Sequence, residues 1–423
     1  MFFRRANRSP KLMNPSSSLF DFARFGDAPA LIDRAGGRVV RYSELEFSAS
    51  DFPKLFTTCE RPTFDHAVRL LAALKQSCVV APISFRLPED EARRRSESLG
   101  NRLLDGPGTI LFTSGSSGKP RGIWHSLDAH IANARGAAGL MPLQPGDGWL
   151  LSLPMHHVSG FSILIRCLLS GAAVVFPDRA LPLEKQVSDP AVTHLSVVST
   201  QLLRLLDAGA DLSGLKAVLA GGGPFPEKLI ERAIQSGAPI HLTYGMTEAA
   251  SQIATSGRLV QVPSPLHCGW PLAGREVRIS ADGMIQIRGP VVSPDVVDSE
   301  GWFSTGDLGR FDSEGNLVIL GRRDRMFISG GENIQPEAIE VLLSGVPGIE
   351  RAAVVGVPDA EFGMRPVAFV CGEFREAELR DFLRSRLEAF AVPGRFFDWP
   401  DGVDAGAAKI DYRALERIAR GAC

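Results

Sequence analysis

No apolar stretch in these 423 residues is long enough to span a membrane. The strongest candidate, FSILIRCLLSGAAVVF, is broken by Arg166 and Ser170, which excludes an integral membrane segment on this reading. Cysteine is sparse, with six residues at 59, 78, 167, 268, 371 and 423 and no CxxC pair. That spacing argues against a zinc site or redox dithiol and for free thiols in a reducing cytoplasm. Charge imbalance is missing too. A net charge of −2 gives nothing to draw nucleic acid or an anionic membrane. Residues 1–17 lack acids and lack the apolar centre of a secretory signal. Their basic, serine-rich composition imitates an organelle transit peptide, but a solvated, disordered tail is the simpler expectation. Internal repeats and low-complexity tracts are absent.

What is there is an ordinary globular balance, 44% hydrophobic and 22% charged residues, in a chain too long for one core. GWLLSLPMHH, AAVVFP, HLSVVST, KAVLAGGG and IHLTYG are short apolar runs that end in small or polar residues. Helical patterns such as TQLLRLLDAG and PEKLIERAIQSG lie between them. This alternation predicts helix-covered parallel sheets, with functional groups at the carboxyl ends of the strands. After about residue 255, GREVRIS, MIQIRG and NLVILG predict a small antiparallel β unit. The charged GRRDR follows, then an α+β module with a helix at QPEAIEVLLSG and another whose apolar stripe runs through 379, 382, 383, 387 and 390. The expected class is therefore α/β. A large N-terminal domain, residues 1–323, combines helix-covered parallel sheets with the small β unit, and a small mobile α+β domain occupies residues 324–423.

TILFTSGSSGKPRG, residues 109–122, runs from a strand into a dense set of hydroxyls and backbone amides beside Lys119 and Arg121. Thr113, Ser114, Ser116 and Ser117 offer hydroxyls, and Gly115 and Gly118 allow close backbone approach, so a phosphate-binding nest answers the composition. It is not a Walker A loop, because only two residues separate the glycines and Pro120 follows the lysine. A Gly/Ser surface linker is the competing reading.

The loop resembles the nucleotide signature of the adenylate-forming superfamily, which comprises acyl-CoA synthetases, peptide-synthetase adenylation domains and firefly luciferase. The family's further motifs follow in order: YGMTEAAS at 244–251, GWFSTGDLGRFDSEGNLVILGRRDRMFISGGENIQPEAIE at 301–340, and AAKIDYRAL at 407–415. The finer resemblance is to the 2-succinylbenzoate–CoA ligase branch of menaquinone synthesis. LPMHHVSGFSILIRCLLSG, THLSVVSTQLLRLL, GGENIQPEAIE and VPDAEFGMRPVAFV carry it.

The resemblance implies a two-step reaction through acyl-AMP, with ATP, Mg²⁺ and coenzyme A. Residues 113–119 would hold the β- and γ-phosphates. Tyr244, Gly245 and the turn Gly221, Gly222, Gly223 would lie at the adenine, with Tyr244 offering a stacking face; taken alone, YGMTE reads as a loop with a buried tyrosine and an exposed glutamate. Thr247 would bond the α-phosphate and Glu248 would help hold Mg²⁺. Asp307 would accept the ribose hydroxyls with Arg322 beside it, although an Asp between glycines is by itself a turn former. Lys409 would bridge the α-phosphate and the substrate carboxylate; its lead-in AGAAK lacks the arginine frequent in the family. Asp324 would be the hinge, Gly330 and Gly331 would line the CoA channel, and His157, with His156 beside it, would sit near the reacting carboxylate. A dicarboxylate substrate also needs a cation in an apolar pocket. Arg166 is the candidate, with Ser199, Thr200 and Gln201 nearby, and its competing reading is an arginine snorkelling to the surface. Three alternatives remain: a ligase for another aryl or medium-chain acid, an enzyme that loads a carrier protein, and a non-catalytic nucleotide-binding protein. The expected partners are small molecules, and a homodimer is left open.

Overall fold

The computed structural model describes residues 19–47, 51–100, 106–113, 120–403 and 410–421. The expected tail at 1–17 lies outside them. A nine-stranded sheet forms the centre. Strands Pro29–Asp33, Ala173–Phe176, Gly148–Leu150, His194–Val197, Ala217–Ala220 and Ile240–Met246 run parallel in that spatial order. The expected runs all form strands. The sheet edges, however, are antiparallel: Arg38–Arg41 on one side, Ser251–Thr255 and Trp270–Pro271 on the other. For Arg38–Arg41 and Ser251–Thr255 the short connection forces this, since a tight turn can reverse the chain but cannot carry it back to a parallel start.

Alternation along these strands builds two cores. Trp149, Val174 and Leu219 face one layer of helices, Phe64–Lys75, Leu127–Ala137 and Val158–Ser170. Leu150, Val175 and Val218 face the opposite layer, Ser199–Asp207 and Glu227–Gln235. The first helix layer is covered in turn by a four-stranded sheet of Leu55–Thr58, Val79–Pro82, Gly108–Thr113 and Arg121–Ser126, whose Val80 and Leu111 join the same core. Helix Glu89–Ser98 closes its far face.

A second four-stranded sheet contains Glu276–Ile279, Met284–Arg288, Phe303–Phe311 and Leu317–Arg322. Beyond the single turn Arg323–Arg325, the chain enters a five-stranded sheet dominated by the long hairpin Ile349–Asp359 and Gly363–Gly372. Helix Pro336–Ser344 starts on its proline as expected, because the missing N–H costs nothing at a helix start. The stripe helix is shorter than its pattern. It spans Glu376–Arg384, and Leu387 and Phe390 reach the same core from the irregular chain and the turn that follow. Periodicity continued there because the core, not the helix, demanded apolar side chains.

Candidate active site

Parallel strands in register end together, so the segments after them share one edge. Beyond Leu150 come His156 and His157, beyond Val197 come Ser199 and Thr200, beyond Ala220 comes Gly221–Gly223, and beyond Met246 come Thr247 and Glu248. Sequence reasoning placed these groups at strand ends, and the topology brings them to one rim. His157 is exposed and caps helix Val158–Ser170, its carbonyl accepting the Phe161 N–H at 3.0 Å. His156 stands edge-on to Phe85, and burial, with the His157 and Arg86 charges, lowers its pKa to about 3. Ser199 and Thr200 occupy the first turn of their helix, half-buried. Gly222 holds φ +86°, which a side-chain-bearing residue rarely adopts.

Asp307 does not sit in a turn. It lies within strand Phe303–Phe311, opposite Arg322 of the neighbouring strand. Its Oδ2 accepts the Tyr244 hydroxyl at 2.6 Å, and its Oδ1 accepts Arg322 Nη1 at 3.1 Å. Arg322 in turn donates Nε and Nη2 to the two oxygens of Asp324, at 3.1 and 3.2 Å. One chain of bonds thus links the end of the large sheet, the β unit and the exposed turn at Asp324. Burial pushes the Asp307 carboxyl up, while the Tyr244 and Arg322 hydrogen bonds pull it back. Burial also works against the Arg322 charge, but Asp324 and Asp307 outweigh it and hold the guanidinium more firmly protonated. Tyr244 is buried among Ile253, Ile285 and Leu317. Its packed ring and its hydroxyl bond make it a tether for Asp307, a relationship that the aromatic-face expectation did not contain.

Thr113 closes its strand opposite Arg121. Ser114, Gly115, Ser116, Ser117, Gly118 and Lys119 lie outside the described residues, as does Lys409. The returning strand is fastened to the Thr247–Glu248 turn. His125 Nε2–H donates to the Thr247 carbonyl at 2.5 Å, and Ser293 spans the two by donating its hydroxyl to Trp124 O and its N–H to Glu248 O. Burial lowers His125 to about 4, so it acts as a neutral donor. Sequence reasoning missed His125, because nothing in a strand pattern marks a buried histidine as a clasp.

Arg166 does not snorkel. It is 5% exposed, lies over the Trp149 ring at 5.2 Å and donates Nη2 to Gln252 Oε1 at 2.6 Å. Gly245 pairs with Gln252 on the adjoining strand. Burial, reinforced by the nearby Arg275 charge, lowers Arg166 to about 10. Gly330 and Gly331 form the tight turn between Phe327–Ser329 and Glu332–Ile334, at φ +59° and +89°. Backbone conformation alone requires glycine there.

No group of three or more His, Cys, Asp or Glu among the described residues could cage a metal. Magnesium needs no such cage. One carboxylate such as Glu248, completed by phosphate oxygens and water, is its usual donor set, so the residues present fit that ion.

A buried carboxylate in the antiparallel β unit, tied to the end of the large sheet through Tyr244 and to the turn before a separate C-terminal unit through Arg322, fits the nucleotide site of an AMP-forming acid–thiol ligase, the class to which the family match assigns the chain. The chain belongs to the AMP-binding enzyme family: residues 102–292 match that family and residues 338–400 match its C-terminal domain. It is 39% identical over 320 residues to 2-succinylbenzoate–CoA ligase of Salmonella typhimurium, covering 73% of this chain and 68% of that one. Among solved structures, a variant of Escherichia coli MenE with bound OSB-AMS matches with a TM-score of 0.80 at 28% identity, over 97% of this chain and 98% of the other. The o-succinylbenzoate CoA synthetase (MenE) from Bacillus subtilis, in complex with the acyl-adenylate intermediate OSB-AMP, matches with a TM-score of 0.83 at 25% identity, over 94% and 97%.

Proposed function

We infer that this chain is a 2-succinylbenzoate–CoA ligase of menaquinone synthesis. It converts 2-succinylbenzoate, ATP and CoA into 2-succinylbenzoyl-CoA, AMP and diphosphate. The observation that carries the reading is the Tyr244–Asp307–Arg322–Asp324 chain beside Thr247 and Glu248, in a protein 39% identical over 320 residues to a ligase of that name.

In the first half-reaction a carboxylate oxygen attacks the α-phosphorus and the bond to the β-phosphate bridge breaks. Two anions must meet, so oriented donors and cations are the catalytic need. We assign the β- and γ-phosphates to residues 113–119, the α-phosphate to Thr247 and Lys409, and Mg²⁺ to Glu248. Bound there, Mg²⁺ would neutralise phosphate charge. Asp307 keeps lone pairs free beyond its two present bonds, which suits the ribose hydroxyls. In the second half-reaction the CoA sulfur attacks the acyl carbon and AMP leaves. Asp324, exposed between two units, would serve as the pivot, and the Gly330–Gly331 turn would border the thiol's path. His157 would stand at the reacting carboxylate. Arg166 would receive the ring carboxylate, with Ser199 and Thr200 lining the same pocket. The free cysteines suit a cytoplasmic setting.

The test is CoA ligation with a panel of acids, read by AMP release and product mass. Ligation of 2-succinylbenzoate above the other acids is expected. Preference for another acid, or transfer only to a carrier protein, would refute the assignment. Arg166→Ala should impair 2-succinylbenzoate more than benzoylpropionate, the same molecule without the ring carboxylate.

A further inference from the structure

Two guanidinium groups are buried beside each other's charge without a carboxylate. Arg166 and Arg275 are 5% and 8% exposed, and neither forms an ion pair among the described residues. Arg275 spends its donors on backbone carbonyls: Nε on Gln252 O at 2.8 Å and Nη1 on Ala273 O at 2.8 Å. Arg166 has one side-chain acceptor, Gln252 Oε1, and its Nε has no partner among the described residues. A buried cation so placed is costly, and an incoming anion relieves the cost.

Gln252 is itself held from every side. It is 1% exposed. Its Nε2 donates to Thr255 Oγ1 at 2.8 Å, which fixes the amide so that Oε1 faces Arg166. Its carbonyl accepts Asn133 Nδ2 at 3.1 Å as well as Arg275 Nε. Thr255 is pinned by Thr243 Oγ1 at 2.9 Å. The chemistry of an amide is decisive here. It satisfies one N–H of the arginine and fixes the plane of the fork, yet leaves the positive charge uncompensated. A glutamate in the same place would hold the fork equally well but would neutralise it.

We propose that Gln252 is a positioning residue for substrate specificity: it presents the Arg166 guanidinium, oriented and uncompensated, to the second carboxylate of a dicarboxylate substrate. The proposal rests on the assignment of Arg166 to that carboxylate. The amide at 252 is what makes the site select a dianion over a monoanion of the same shape.

The experiment compares KM and kcat for 2-succinylbenzoate and for benzoylpropionate in the parent, Gln252→Glu, Gln252→Leu, Arg166→Ala and the double variant Arg166→Ala/Gln252→Glu. Gln252→Glu is expected to raise KM for 2-succinylbenzoate at least about ten-fold by placing a competing anion on Arg166, with KM for benzoylpropionate and for ATP changed less than about two-fold. Gln252→Leu, which frees the fork without neutralising it, is expected to raise it about three-fold. In the Arg166→Ala background Gln252→Glu should add no further selective loss. Equal effects on both acids, or no effect, in the Gln252 variants while Arg166→Ala stays selective would overturn the proposal and spare the Arg166 assignment. An unselective Arg166→Ala would overturn both. If Gln252→Glu fails to fold, Gln252→Leu and its thermal midpoint decide the same question.

Discussion

The Tyr244 hydroxyl lies 2.6 Å from Asp307 Oδ2, joining the last parallel strand of the large sheet to the middle of a separate β unit. Tyr244→Phe removes that donor and leaves a buried carboxylate oxygen short of a partner. A loss of about 1–3 kcal/mol is expected, shared between stability and ATP affinity. Because the bond favours the charged form, the Asp307 pKa rises further above its usual range in the variant. The acid limb of ATP binding should therefore move to higher pH, which a pH series of KM for ATP will read.

Arg325 is the anchor of the C-terminal unit. It donates to Glu337 at 2.7 Å and Glu340 at 2.6 Å, bonds Val354 O at 3.0 Å and lies 3.6 Å from the Tyr412 ring centroid. Glu340→Ala leaves Arg325 with Glu337 as its one carboxylate and strips the buried Val354 N–H of its acceptor. It is expected to cost about 1–3 kcal/mol in urea unfolding of the full chain.

Burial holds the imidazoles of His125 and His194 at about 4, against an ordinary value of 6.5. The unfolded chain therefore binds protons below 6.5 that the folded chain refuses. Stability is complete above that value and falls as pH drops towards 4, by about 2 kcal/mol per histidine at about pH 5. Urea midpoints at neutral pH and at about pH 5 will measure the slope. His125→Gln should remove its share of that slope.

Lys409→Ala should lower acyl-AMP formation by about a hundred-fold or more while sparing CoA transfer from supplied acyl-AMP. Separate assays of the two half-reactions check this. Equal loss in both would count against the assignment of the lysine to the first step.

The strands of the large sheet were legible because parallel, doubly covered strands must be continuously apolar, and their small or polar ends announced a rim. Asp307 was misplaced locally because Gly306 and Gly309 imitate a turn. The partner that makes this segment a strand, Leu317–Arg322, is chosen only by pairing across the sheet. The stripe through Leu387 and Phe390 overstated its helix for a similar reason, since a core collects apolar side chains from any backbone that reaches it.

By itself the sequence determined the inventory: the alternation that selects an α/β fold, the ordered motifs of an adenylate-forming enzyme, and one arginine out of place in an apolar helix. Only the tertiary structure decided which groups meet. Arg166 faces Gln252 across 86 positions of chain, and Tyr244 reaches Asp307 across 63. Apolar periodicity is a local property of the chain, whereas partners for buried polar groups are assigned by packing, which no short stretch of sequence contains.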